Sequence, residues 1–135
     1  MIPHSTQQVI AQSDFYREPG LFYVVHASKV NTPELHRLIC RDEKEITVIT
    51  TEAGLTDLDI IDSNKEQWCL FVINCANPFY CVGFLTAIST AMTNAGLDIL
   101  LTSTFSRDVV FVAQQHSVQA AELLQQLGFR QQETR

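Results

Sequence analysis

From Trp68 to Phe129 the chain alternates short apolar runs with stretches of helical period. Trp68–Cys75 (WCLFVINC) is almost wholly apolar and too short to span a bilayer, which predicts a buried strand. Val82, Leu85, Ile88, Ser89, Met92 and Ala95 recur at spacings of three and four, which predicts a helix over Val82–Ala95 with one apolar face. Gly96 follows at the position where a left-handed backbone ends a helix. Leu97–Phe105 is strand-like, Ser106-Arg107-Asp108 is a polar connection short enough for an antiparallel hairpin, and Val109–Ala113 is the return strand. Ser117 is an N-cap candidate for a helix on which Val118, Ala121, Leu124 and Leu127 share a face, and Gly128 closes it. Strand, helix, two strands and a helix make a β-α-β-β-α unit, close to the ferredoxin-like split βαβ.

The first half is less regular. Residues 1 to 13 are polar and mixed, fitting either a loose arm or a short helix, and 15–20 read as a bend into the strand Leu21–Ala27. Asn31-Thr32-Pro33 starts a turn. Leu35, Leu38 and Ile39 fit a helical stripe, while alternation over Glu34–Arg41 fits a strand as well. Ile46–Thr51 alternates as a strand, and Asp42-Glu43-Lys44 before it is a solvated turn. Ala53–Gln67 is acidic and polar and reads as a connector.

Several residues of the second half carry a resemblance. They are Trp68 opening the strand, Phe79-Tyr80-Cys81-Val82-Gly83 in the loop, Ala95-Gly96-Leu97 after the helix, and Ser103-Thr104-Phe105-Ser106-Arg107-Asp108 before the last strand. In these features the chain resembles the ACT domain family. More narrowly it is similar to the paired ACT modules of small bacterial ACT proteins and of the cytosolic arginine sensors of the TOR pathway. One departure is Pro78, which stands where that subgroup has an acidic residue just before the loop Phe. The resemblance implies an α+β fold of tandem ACT-like (ferredoxin-like βαββαβ) modules, each an antiparallel sheet with helices on one face. The first module would be reduced and span 14–62, and the second would span 66–131. The subgroup also has a hairpin flanking Arg-x-x-x-Glu, here Arg41 to Glu45, which favours Leu35–Cys40 as a strand paired with Ile46–Thr51.

Charge and cysteines narrow the function. A formal charge of −6 argues against a nucleic-acid backbone as partner. No basic helix suits a membrane surface, no apolar run is long enough to cross one, and the first residues lack the pattern of a secretory signal, so a cytoplasmic location is expected. Cys40, Cys69, Cys75 and Cys81 form no C-x-x-C pair and are expected to be reduced, packed thiols. His36 and Cys40, four apart, fall short of a metal site. His26 lies in an apolar strand, and His116 belongs to a helix cap. No P-loop, dinucleotide fingerprint or paired carboxylates are present, and the chain is not expected to be an enzyme or to need a cofactor. A Cys81 nucleophile would need a base that the sequence does not place.

Two stretches are candidate binding sites. Asn77, Phe79, Tyr80, Cys81, Val82 and Gly83 join a strand end to a helix N-terminus, where free N–H groups favour an anion such as an α-carboxylate. Gly83 equally suits plain helix–sheet packing. Thr104 and Asp108 lie on the hairpin opposite, where Asp108 either receives a ligand's ammonium or guanidinium or steadies its own turn. The resemblance implies a non-enzymatic regulatory or sensor protein that binds a small ligand, an amino acid, and forms a homodimer. The alternative is a dimerisation or protein-interaction module with no ligand.

Overall fold

In a computed structural model, which describes residues 2–133, two sheets form. The elements, in chain order, are α1 (His4–Gln12), β1 (Asp14–Arg17), β2 (Tyr23–Val30), β3 (Leu38–Arg41), β4 (Ile46–Thr50), β5 (Leu58–Ser63) and β6 (Trp68–Asn74). They continue with α2 (Phe84–Asn94), β7 (Ile99–Ser103), β8 (Arg107–Ala113), α3 (Ser117–Leu127) and β9 (Arg130–Gln131). Short 3-10 turns cover Pro33–Leu35, Glu52–Asp57 and Gln114–His116. The fold is α+β, built of largely antiparallel sheets with helices. Residues up to Pro19 and from Cys69 onward form one compact unit, and Gly20–Trp68 form the other.

The larger unit contains the expected β-α-β-β-α run. Its sheet has the order β7-β8-β6-β1-β9. Trp68 to Ile73 are all buried, as the unbroken apolar run predicts for an interior strand. α2 packs on α3, and Ile88, Met92 and Leu124 are fully buried. Phe15 and Phe71 meet edge-on in the same core with ring centres 6.0 Å apart. β7 and β8 pair antiparallel from Ile99↔Val112 to Ser103↔Asp108. Arg107 and Asp108 therefore belong to the strand rather than to the connection, which contracts to residues 104–106. α2 starts two residues later than Val82, behind Gly83. Ser117 is the first helical residue and not the cap, because the 3-10 turn Gln114–His116 brings the chain into α3 and His116 takes the cap position.

Of the two options for the first residues, the structure has the helix α1. Within the stretch 15–20, expected as a bend, Pro19 and Gly20 do bend, but residues 15–17 are strand: β1 pairs antiparallel with β6, from Asp14↔Asn74 to Arg17↔Phe71, and parallel with β9. Phe15 and Tyr16 are buried there.

The smaller unit is a four-stranded sheet of order β3-β4-β2-β5 around Val25, Ala27, Val48 and Leu58, with no α-helix among its described residues. β3 pairs with β4 from Leu38↔Ile49 to Arg41↔Ile46, so the strand expected over Leu35–Cys40 forms only from Leu38, while Leu35 lies in the 3-10 turn Pro33–Leu35. Asp42 closes the hairpin by accepting the N–H groups of Lys44 and Glu45, and these bonds hold its carboxyl below the usual range. The 53–67 stretch is not a connector. It carries the 3-10 turn Glu52–Asp57 and then β5, which pairs with β2. The turn is pinned by His36. Its Nε2 donates to Asp57 Oδ2 at 2.8 Å, and its Nδ1 lies 2.9 Å from Thr50 Oγ1. Cys40 is exposed on β3 and takes no part, and the described residues contain no His, Cys, Asp and Glu group able to hold a metal.

Candidate functional site

The loop from β6 to α2 is shaped by a tight turn. Tyr80 N–H donates to the Asn77 carbonyl at 3.4 Å, and Asn77 Nδ2 returns to the Tyr80 carbonyl at the same distance. Pro78 stands at the second turn position, and Phe79 at the third has φ 71°. A proline followed by a positive φ is the type II pattern, in which glycine normally takes the third place. Phe79 is the one described non-glycine residue with positive φ. Its ring meets Phe105 of the β7–β8 connection edge-on, with centres 5.2 Å apart. That contact helps offset a backbone cost of order 1–3 kcal/mol.

After the turn the chain enters α2 through Gly83, whose φ of 83° suits a residue without a Cβ. Thr6, buried on α1, donates its hydroxyl to the Val82 carbonyl and ties down this approach. No side chain caps α2. Phe84 N–H is used on the Cys81 carbonyl at 3.3 Å. The next donors, on Leu85 and Thr86, are those that a helix start leaves without intrahelical partners.

Between this loop and the β7–β8 connection lies a cavity of about 290 Å³. The structure brings six of the eight expected residues to its wall: Asn77, Phe79, Cys81 and Gly83 from the loop, with Thr104 and Asp108 from the hairpin. Tyr80 and Val82 do not reach it and are 80% and 84% exposed. Tyr80 N–H, expected to meet a ligand, is taken by the turn.

Residues outside the eight expected contacts complete the wall. They include Cys75, Leu85, Thr86, Ser103 and Arg107. Ser103 faces Asp108 across the hairpin and donates its hydroxyl to Oδ1 at 2.6 Å. Arg107 does not pair with Asp108; its Nη1 reaches the Tyr16 hydroxyl at 3.4 Å. The register of the hairpin was the signal for Ser103, once the turn is shortened to 104–106. The cavity thus has a carboxylate, a guanidinium and an uncapped helix start around a partly aromatic floor. A small zwitterion has matching charges.

Residues 63–126 match the sequence model of the ACT domain family. This stretch resembles an ACT domain. No curated protein matches the chain in sequence. Among solved structures, a Vibrio cholerae protein of unknown function superposes with a TM-score of 0.78 at 15% identity, covering 92% of this chain and 96% of that one. A protein from Agobacterium tumefaciens superposes at 0.70 with 17% identity, covering 91% and 96%. The regulatory subunit of aspartate kinase from Thermus thermophilus, in its ligand-free form, gives 0.58 at 8% identity, covering 85% and 95%. At these identities the likeness is one of fold. The matched stretch runs from the end of β5 through most of α3, and all the cavity-lining residues lie within it. ACT domains are in general regulatory modules for small ligands.

Proposed function

We propose that this protein is a non-enzymatic sensor whose ACT domain binds an amino acid in the cavity between the β6–α2 loop and the β7–β8 connection. The observation that carries the reading is the convergence of Asn77, Phe79, Cys81, Gly83, Thr104 and Asp108 on one cavity of amino-acid size. The ligand's carboxylate meets the start of α2 and Arg107, and its ammonium or basic side chain meets Asp108. Pro78 builds the turn where the family has an acid, so the loop offers shape rather than charge at that point.

The protein acts in the cytoplasm as a homodimer. Support for pairing comes from β7, an edge strand with Leu100 and Leu101 more than a third exposed. Among the described residues no helix is long and apolar enough to cross a membrane. A thermal-shift screen across the amino acids tests the binding reading. At about one hundred times its Kd a ligand adds roughly 2.7 kcal/mol, which moves the melting point by several degrees. Flat curves for every amino acid overturn it and promote the interaction-module reading, which the exposed Phe79, Tyr80 and Phe105 favour. A monomeric mass by light scattering at tens of micromolar overturns the homodimer.

A further inference from the structure

Two of the four cysteines meet at the cavity. Cys75 directly follows β6, and Cys81 stands on the far side of the Asn77–Tyr80 turn. The turn reverses the chain, so positions before and after it face each other. Both side chains line the cavity, both are half-buried, and both are free thiols. Beside that shared wall, the Cys81 side chain is one of the neighbours that raise the Cys75 thiol above its ordinary range. Cys69 is buried on the same strand, and Cys40 is exposed in the other unit.

We propose that Cys75 and Cys81 form a reversible dithiol–disulfide pair in the cavity wall, oxidised by a low-molecular-weight disulfide. Cys81, as its thiolate, attacks one sulfur of the small disulfide. That S–S bond breaks, one small thiol departs, and a mixed disulfide is left on Cys81. Cys75 then gives up its proton and attacks the Cys81 sulfur. The second small thiolate leaves and takes that proton. The protein loses two protons and two electrons, and the small disulfide is reduced to two thiols.

The order of attack follows from the surroundings. Burial pushes the Cys75 thiol above its ordinary range; the Asn77 N–H draws it back, but Cys81 and Asp108 add to the rise. Cys75 therefore waits as a thiol and acts second, as the resolving partner. The bond draws the two ends of the turn together and narrows the cavity. That consequence rests on the amino-acid reading above, whereas formation of the bond does not.

The test uses the full chain incubated with oxidised glutathione and then mapped by non-reducing peptide mass spectrometry. The expected product is a cross-link joining the Cys75 and Cys81 peptides. Thiols counted after denaturation drop from the four of the reduced chain by two, and dithiothreitol restores them. Cys75→Ser should accumulate glutathione on Cys81, because the resolving thiol is gone. A stable glutathione adduct on Cys81 of the wild type, or modification confined to Cys40, overturns the proposal. This mapping succeeds or fails independently of the amino-acid screen, so the two readings are separable.

Discussion

Gly54 sets a sharp test of how the smaller unit is packed. A Cβ built there would lie 2.0 Å from Thr50 Oγ1 and 3.2 Å from both Thr50 Cβ and His36 Nδ1. Thr50 is fully buried, and its hydroxyl is the partner of His36 Nδ1. The hydroxyl cannot swing clear without leaving that nitrogen. Gly54→Ala therefore combines overpacking, about 1–3 kcal/mol, with a broken buried hydrogen bond, about 1–3 kcal/mol. The expected loss is about 2–6 kcal/mol. With an m-value of about 2 kcal/mol per molar, the urea midpoint falls by roughly 1–3 M. The single tryptophan, Trp68, is buried and donates to Asn64 Oδ1, so its fluorescence reports on this unit. Thr50→Ala removes the clashing atom. The double change should cost less than the two singles together by at least about 0.5–1 kcal/mol. A Gly54→Ala protein within about 0.5 kcal/mol of wild type, or strict additivity in the double, refutes the reasoning.

Gly83→Ala should behave differently. Its Cβ would sit 3.6 Å from Pro3 Cδ and 4.0 Å from Thr6 Oγ1, ordinary contacts on the α1 side, so the cost is the positive φ alone, about 1–2 kcal/mol by urea titration; a loss above about 4 kcal/mol would show a clash the structure lacks. Asp108→Asn keeps the shape but removes the charge, and should weaken a cationic amino acid by about 1.5–3 kcal/mol while sparing a neutral one, read from paired melting shifts. Equal weakening of both would place Asp108 on the α-ammonium that every amino acid carries, and no weakening of either would move it out of ligand contact. Burial alone would raise the Asp57 carboxyl, but hydrogen bonds from His36 and Thr32 hold it below the usual range. Its folded value thus lies below its unfolded one: the stability it adds is present above the unfolded value and is lost as pH falls through the folded value. Asp57→Asn should flatten that part of the acid limb, and an unchanged acid limb would count against the His36–Asp57 pair.

What could be read from the chain depends on which residues are buried. β6, α2, β8 and α3 bury whole runs or single stripes, so their period is written in Leu70, Ile88, Val110 and Leu124. β5 was missed because only Leu58 of its six residues is buried; Ile60 and Ile61 lie at the surface of an edge strand, and no alternation marks it. β1 was missed because four residues, two of them charged or acidic at the ends, carry too little pattern. The cavity's two walls were legible as motifs. Tyr80 and Val82 lie off the cavity wall, which a reading of the loop as an even run of donors does not distinguish. Pro78 announces a turn, but a phenylalanine at the positive-φ position does not, and that turn decides which way Tyr80 faces.

The chain order of the larger unit also bears on biosynthesis. Its interior strand β1 is translated before all of Gly20–Trp68, yet it pairs with β6, nearly all of which is translated after them. The smaller unit is contiguous and closes on itself: Phe22 and Trp68, near its two ends, exchange backbone hydrogen bonds of 2.8 and 2.9 Å. On the ribosome the inserted hairpins can therefore finish while Phe15 and Tyr16, both destined for burial, are still waiting for a strand to receive them. Nascent chains arrested before β6 emerges should hold a formed smaller unit and an exposed, aggregation-prone amino-terminal segment. A chaperone that shields short apolar stretches has its moment of greatest use there.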